Sequence, residues 1–181
     1  MLATDSKAVH QQGKEAMAFL ERFEDFVGAW MAAGPYPGGI GNKKSFPPED
    51  PKAKGIKWQP MRVGTDRGRP WLVELDKVLG GNNRAAYLRT RIYSPKAQKV
   101  RMELGSDDSV KLWIAGKLVH RNPATRPCRP GEDKKTLTLP EGWSDVLMKV
   151  VQAGGQWAAC LRFVAPDGSR LKGVRAAVDG Q

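Results

Sequence analysis

The chain has 181 residues and a formal net charge of +11, from 30 Lys and Arg residues against 19 Asp and Glu residues. This length suits one domain with a single core. No apolar run approaches the ~20 residues that a membrane-spanning helix needs. Residues 1–5 are too polar to open a signal segment. The basic residues are scattered along the chain, which favours a solvated basic surface and only non-specific electrostatic binding to nucleic acid.

The first predicted element is a helix over residues 6–27. Apolar side chains recur along it at helical spacing, and Asp5 or Ser6 can cap its N-terminus. Two interpretations of this helix stay open, because it can pack on the rim of the next domain or connect to an upstream one. The apolar positions are Ala16, Phe19, Leu20, Phe23 and Val27.

Residues 28–69 form an irregular stretch with few strand candidates. Residues 30–36 look like a strand that runs into a Gly-Pro turn, and shorter candidates lie at residues 56–58 and 71–75. The segment between the first two candidates is rich in Gly, Pro and Lys, which predicts an exposed loop. A loop this long is uncommon in a compact domain and is often functional or mobile.

The second half has the period-2 alternation that is typical of strands. Residues 110–119 predict a hairpin that turns at Ala115-Gly116-Lys117. Residues 105–108 predict a tight polar turn before this hairpin, and residues 154–155 predict a hairpin turn. The other predicted strands lie at residues 86–93, 100–104, 136–139, 146–151 and 157–164.

Strands dominate the chain and do not alternate with helices, so the predicted fold is all-β: an antiparallel two-sheet β-sandwich with an N-terminal helix. The predicted organisation is a helical extension at residues 1–27, a sandwich domain at residues 28–165 and a frayed C-terminal tail at residues 166–181. Trp143 is predicted to be buried. The predicted core also includes Leu112, Ile114, Met148, Val150, Trp157 and Phe163.

Residues 105–117 resemble a hairpin of a known family. A Ser-Asp-Asp turn, an apolar strand with a Trp and a short Gly turn are similar to the sugar-binding hairpin of galactose-binding-like and protective-antigen-type jelly-roll modules. The Pro-Glu-Gly-Trp turn at residues 140–143 and the strand at residues 156–163 resemble later parts of these modules. Residues 30–37 resemble their opening, so the likeness covers residues 28–165.

The resemblance implies a jelly-roll sandwich that binds carbohydrate without catalysis, as part of a larger secreted bacterial protein. It implies an extracellular or periplasmic location, an acidic or plant-type polysaccharide or glycan as ligand, and other domains of the parent protein as partners. Two departures favour a second hypothesis, a structural or protein-interaction sandwich: Ser109 replaces a Gly, and Ala115 replaces an Asn or Asp of the turn. A third hypothesis is a basic nucleic-acid-binding domain.

Asp107 and Asp108 are the candidate metal ligands. The resemblance implies that such a pair can hold calcium, which prefers hard oxygen ligands. Glu132 and Asp133 are possible further ligands. The alternative is a turn stabilised by hydrogen bonds from the aspartate side chains to the backbone. No other cofactor is expected.

Five residues are candidate glycan ligands: Trp113, His120, Arg121, Asn122 and Arg126. An exposed indole can stack on a sugar ring, although Trp113 can instead pack against the N-terminal helix or the early loop. Planar Arg donors can bind the carboxylates or sulfates of acidic glycans. An ordinary solvated loop is the alternative for the basic segment.

No catalytic template is recognisable, so an enzyme is not expected. The chain has only two histidines, and it lacks a Gly-x-Ser-x-Gly elbow and a Cys-x-x-Cys pair. Cys128 and Cys160 are too few for a disulfide scaffold. One disulfide and two separate thiols are equally compatible with their spacing.

Overall fold

The computed structural model describes residues 2–21, 23–38, 43–66 and 68–178. Within these residues, one α-helix, α1 (Leu2–Glu21), precedes the strands, and a 3-10 helix (Pro47–Glu49) lies between the first two strands. The strands are β1 (Trp30–Pro37), β2 (Gln59–Met61), β3 (Val73–Glu74), β4 (Arg84–Ser94), β5 (Gln98–Asp107), β6 (Ser109–Ile114), β7 (Lys117–Asn122), β8 (Asp133–Leu139), β9 (Gly142–Gln152), β10 (Ala158–Val164) and β11 (Arg175–Ala177).

The strands form two antiparallel sheets. The larger has the order β2-β1-β4-β9-β6-β7, and β11 pairs with β4 at residues 91–93, beyond the end of β1. The smaller has the order β3-β10-β5-β8. The predicted all-β, antiparallel two-sheet sandwich is therefore confirmed.

The core lies between the two sheets, because each long strand turns one set of alternate side chains inward. All six side chains predicted for the core are buried, among them Leu112, Met148 and Trp157. The prediction for Trp143 was wrong, since its exposed fraction is 39%. Ser144, Val146 and Met148 of β9 are buried at alternate positions. Trp143 comes one residue before Ser144, and it therefore lies on the opposite face of β9.

The N-terminal helix ends earlier than predicted. Val27 continues the predicted helical spacing, but this segment lies beside β10 instead: Phe26 forms an isolated bridge with Arg162, and the Val27 N–H donates to the Leu161 carbonyl over 2.8 Å. Val9 and Met17, which were not among the predicted apolar positions, are exposed on α1. The side chains of the predicted positions within α1, Ala16, Phe19 and Leu20, lie outside the described part. No helix among the described residues has the length and apolarity of a membrane span.

Four predicted local features differ from the structure. The predicted tight turn at residues 105–108 belongs mostly to β5, which runs to Asp107, and the chain then crosses to β6 in the other sheet. The predicted hairpin turn at residues 154–155 lies in a connection between β9 and β10, which also belong to different sheets. The predicted strand at residues 56–58 is absent, and β2 begins at Gln59. The tail, predicted to be frayed, contains β11 at residues 175–177, which pairs with β4 beyond the end of β1.

Candidate functional site

The register of the larger sheet aligns side chains in rows on its outer face, the face turned away from the core. One row runs from Tyr87 on β4 through Lys149 and Lys111 to Arg121 on β7. Cross-strand neighbours in such rows approach within about 5 Å between Cβ atoms. The next rows, displaced toward the other end of the sheet, contain Arg89, Leu147 and Trp113, then Arg91 and Asp145, then Tyr93 and Trp143.

A groove of about 610 Å³ lies between this outer face and the loop at residues 48–58. We call it the sheet groove. Two tryptophans line it, Trp58 from the loop and Trp113 from β6, together with the guanidinium-bearing side chains of Arg89 and Arg91 from β4. Its volume is within the usual range of ligand pockets, ~300–1,000 Å³.

Aromatic rings and basic groups alternate along the sheet groove. The Arg89 guanidinium lies 4.5 Å from the centre of the Trp58 ring, and the Lys111 ammonium lies 5.8 Å from that of Trp113. Arg91 is 3.4 Å from an Asp145 carboxylate oxygen at the exposed rim, and such an exposed pair contributes little to stability. The groove therefore offers flat apolar surfaces next to planar hydrogen-bond donors.

A buried ionic cluster fastens the groove wall to the sheet. Glu49, at the end of the 3-10 helix, accepts hydrogen bonds at Oε1 from the Tyr87 hydroxyl over 2.5 Å and from Lys149 Nζ over 2.9 Å. Lys149 also donates to the Lys44 carbonyl. The second carboxylate oxygen of Glu49 lies 3.6 Å from Lys111 Nζ. We call Glu49, Tyr87, Lys111 and Lys149 the loop clamp.

The pKa values of the loop clamp follow from burial and charge pairing. Burial raises the pKa of Tyr87 far above its ordinary value, and the hydrogen bond to the Glu49 carboxylate adds to that shift. Burial lowers the pKa of Lys149, opposed by the Glu49 carboxylate. Burial alone would raise the pKa of Glu49, but the hydrogen bonds from Tyr87 and Lys149 and both lysine charges hold it below its usual value. The carboxylate is thus kept ionised.

Three of the predicted glycan ligands surround Asp133 and not the groove. The Arg126 guanidinium binds the Asp133 carboxylate in a fork, over 3.0 and 2.6 Å, and the Asn122 amide donates to it over 2.8 Å. His120 Nε2 lies 3.0 Å from the same carboxylate but is poorly aligned for a hydrogen bond. Because His120 and Asn122 pair with the inward side of β6, they point toward the smaller sheet, where Asp133 begins β8.

The other two predicted ligands lie on the outer face. Trp113 lines the sheet groove and is half-buried there. Arg121 is exposed in the row of Lys111, outside the groove lining. The structure therefore separates the five candidates into two groups on opposite sides of the sheet edge.

The predicted aspartate pair lies at the crossover from β5 to β6. The Asp108 carboxylate accepts the backbone N–H groups of Arg126, over 3.0 Å, and Ala153, over 2.8 Å, so it fastens two neighbouring loops. The Asp107 side chain is buried and has no such partner among the described residues. The peptide between the two aspartates is cis. The turn-stabilising bonds thus belong to Asp108.

The electrostatic surroundings of Asp107 are acidic. Burial, together with the negative charges of Asp108, Asp76 and Glu132, raises the pKa of Asp107 to about 6. No group of three or more His, Cys, Asp or Glu side chains converges there or elsewhere within the described ranges. Calcium at this pair would therefore need backbone carbonyls and waters to complete its 6–8 oxygen ligands.

The two cysteines are neighbours in space. Cys128 Sγ and Cys160 Sγ lie 4.0 Å apart as free thiols, on the loop before β8 and on β10. The hydrogen-bond contact with the Cys160 thiol, together with burial, raises the pKa of Cys128 well above its ordinary value. Cys160 pairs with Gly105 on β5, two residues before Asp107.

Sequence reasoning missed Trp58, Arg89 and Arg91 as site residues, and the loop clamp entirely. Trp58 was predicted only as part of a strand. The one signal that pointed to it was the unusual length of the early loop, because loops this long in a compact domain are often functional or mobile. The two arginines gave no signal, because alternation along a strand shows which face they share but not what lies opposite.

No protein-family model matches the chain, and no curated protein matches it. Among solved structures it is similar to the PA14 domain of the antifreeze protein MpAFP, with 15% identity and a TM-score of 0.45 over 84% of this chain and 74% of that one. It is similar to an anti-sigma factor domain-containing protein, with 15% identity and a TM-score of 0.49, of which it spans 45% while 84% of this chain is covered.

A third similar structure is a PA14 sugar-binding domain from an RTX adhesin. The identity is 17% and the TM-score 0.38, over 76% of this chain and 67% of that one. Identities this low leave the function undetermined, because one fold hosts many functions.

Proposed function

We propose that the chain is a non-catalytic carbohydrate-binding module that binds an acidic polysaccharide in the sheet groove. The observation that supports this most directly is the pairing of two tryptophans, Trp58 and Trp113, with two arginines, Arg89 and Arg91, in one groove. Indole rings supply flat apolar surface for the C–H face of a sugar. Guanidinium groups supply planar forks that match a carboxylate or sulfate.

The charge of the groove favours an acidic over a neutral sugar. Besides the two arginines, Lys111 and Lys149 lie one row away on the same face. The Glu49 carboxylate lies between these two lysines and balances only part of their charge. The carboxylates of Asp50 and Asp145 also line the groove, so the two arginines and two lysines exceed the three acidic groups by a single positive charge. A uronate or sulfate would therefore depend on direct pairing with a guanidinium, and that attraction would weaken as salt is added.

The groove offers no arrangement that suggests catalysis. Neither histidine lines it, and the Glu49 carboxylate is already bound by Tyr87 and Lys149. Asp145 at the rim is paired with Arg91. We accordingly propose a binding role, in an extracellular or periplasmic protein whose other domains this module would direct to a polysaccharide.

The test is calorimetric titration of the chain with oligogalacturonate, a linear uronic-acid oligosaccharide, and with a neutral glucan oligosaccharide of equal length. We expect binding of the acidic ligand only. Trp113→Ala and Trp58→Ala should each weaken it about tenfold, the equivalent of ~1.4 kcal/mol. The matched control is Trp71→Ala, which truncates a tryptophan that stacks on Phe26 at a distance from the groove.

Two results would overturn this proposal. One is unchanged affinity for the acidic oligosaccharide in both groove variants, with their melting temperatures showing that they are folded. The other is tighter binding of a single-stranded DNA oligonucleotide than of the oligosaccharide at equal salt, since bases also stack on aromatic side chains beside basic groups. That result would establish the nucleic-acid hypothesis instead.

A further inference from the structure

A second cluster of aromatic and basic side chains lies on the outer face beyond the sheet groove. The Tyr93 and Trp143 rings are 5.5 Å apart between centres. Arg175 on β11 lies over Tyr93 at 4.5 Å and over Trp143 at 5.6 Å, while Arg91 lies over Trp143 at 5.2 Å. We call these four residues the ladder.

The ladder presents its charged groups to solvent. Trp143 is 39% exposed and Arg175 is exposed. A guanidinium that stacks on a ring by its face keeps the N–H groups of its edge available for an anion. No carboxylate is paired with Arg175 among the described residues. The Tyr93 and Trp143 rings therefore hold the Arg175 guanidinium at an exposed position on the outer face.

The ladder is continuous with the sheet groove. Arg91 belongs to both, because it lines the groove and also stacks on Trp143. From the row of Arg89 to the row of Tyr93 the chain advances four residues along β4, which spans about 13 Å at the usual rise of a strand. This distance is longer than one sugar ring, so a ligand that reaches both places must be an extended chain.

We propose that the ladder is a second anion-binding subsite, which engages a more distant carboxylate or sulfate of the same linear acidic polysaccharide. The inference rests on the proposed function of the groove and adds to it the form of the ligand. Arg89 and Arg175 belong to rows about 13 Å apart along β4, with Arg91 in the row between them. Such a series of guanidinium groups selects for chains that carry repeated negative charge. Short ligands would occupy the groove alone, through Trp58 and Trp113.

Asp145 is the one acidic side chain in the aligned rows between the two subsites. It lies 3.4 Å from Arg91, and its side chain is 84% exposed. An anion that binds Arg91 would compete with this carboxylate, and displacement of so exposed a carboxylate into water costs little. Removal of its charge by Asp145→Asn should therefore strengthen binding of long acidic chains.

The experiment compares a disaccharide and a hexasaccharide of galacturonic acid by calorimetric titration. In the wild type the hexasaccharide should bind about tenfold more tightly than the disaccharide, beyond the statistical gain from several binding registers. Arg175→Gln should remove most of that difference and leave the disaccharide affinity unchanged. Trp143→Ala should also remove it, with a small loss of disaccharide affinity because Arg91, which stacks on Trp143, lines the groove. Lys99→Ala is the charge control, because it removes an exposed cation from the smaller sheet.

The outcomes separate the ladder from the groove. If disaccharide binding depends on Trp113 but neither ladder variant changes the affinity for the hexasaccharide, the second subsite is refuted and the groove stands. If neither saccharide binds the wild type, the proposed function fails first. Trp143→Phe retains a stacking ring and should keep most of the difference in affinity between the hexasaccharide and the disaccharide. Loss of that difference in a folded Trp143→Phe variant also counts against the ladder.

Discussion

The loop clamp makes a strong prediction about stability. Glu49→Gln keeps the shape of the side chain but removes the one carboxylate that the described residues place within salt-bridge distance of Lys149, which is fully buried. Removal of one partner from a buried ion pair costs ~3–5 kcal/mol, because the remaining charge is left without compensation. We expect the lower end of this range, about 3 kcal/mol, since Lys149 retains the Lys44 carbonyl and two aromatic rings.

The double variant Glu49→Gln/Lys149→Met distinguishes charge from packing. Without the buried cation, most of the lost stability should return, to within ~1 kcal/mol of the wild type. Urea unfolding followed by tryptophan fluorescence and circular dichroism measures all variants, with Glu141→Gln as the control at an exposed glutamate. A loss below ~0.5 kcal/mol for Glu49→Gln, the size of a surface effect, would refute the clamp.

The clamp also predicts an acid limb of the stability curve. The pKa of Glu49 is lowered by folding. Its contribution is therefore fully present above the ordinary carboxyl pKa of about 4.3 and is lost as the pH falls through the lower folded value. In Glu49→Gln, the free energy of unfolding should no longer contain the decrease at acid pH that comes from protonation of Glu49, as urea unfolding at several pH values would show.

Three further predictions concern other parts of the fold. Ala115 has a φ of 48° in the β6–β7 turn, a left-handed conformation that Asn adopts more readily than Ala. Ala115→Asn should therefore stabilise the protein by up to about 1 kcal/mol and raise its melting temperature by about 2–4 °C; an unchanged melting temperature contradicts this. Calcium should leave the melting temperature unchanged, because both Asp108 carboxylate oxygens already accept backbone N–H groups; a calcium-dependent rise that Asp107→Asn abolishes would instead establish the metal site, since a ligand of the folded state stabilises it. Diamide, a thiol oxidant, should join Cys128 to Cys160, seen as the loss of two hydrogen atoms in the intact mass, and an unchanged mass in the folded protein rejects this.

The sequence predicted the strands that bury one face and expose the other. In β4 and β9 the alternation is long, so the face turned toward the core could be assigned before the structure was known. The same logic failed at the end of α1. Phe23 and Val27 continue a helical spacing, yet Val27 satisfies its N–H at Leu161 of β10, and tertiary pairing overrides local periodicity there.

Turn chemistry was a weaker guide than strand periodicity. Gly, Ser and Asp at residues 105–108 are compatible with a hairpin and equally with a crossover between two sheets. Which of the two forms depends on hydrogen bonds from distant residues, and here the Asp108 carboxylate holds the N–H groups of Arg126 and Ala153. No local pattern contains that information.

The distribution of charge shows why the site could not be predicted. The basic residues are scattered along the chain, which favoured a diffuse solvated surface. The register of three neighbouring strands gathers Arg89, Lys111 and Lys149 on one face although 60 positions separate the first from the last. Scatter in sequence therefore does not imply scatter in space for an antiparallel sheet, because strands that are adjacent in the sheet need not be adjacent in the chain. Trp58 completes the groove from the position before β2, which pairs with β1 and with none of these three strands. Glu49 fastens the other end of the same loop to Tyr87 and Lys149, so the loop clamp contributes to both the wall of the groove and its electrostatic balance.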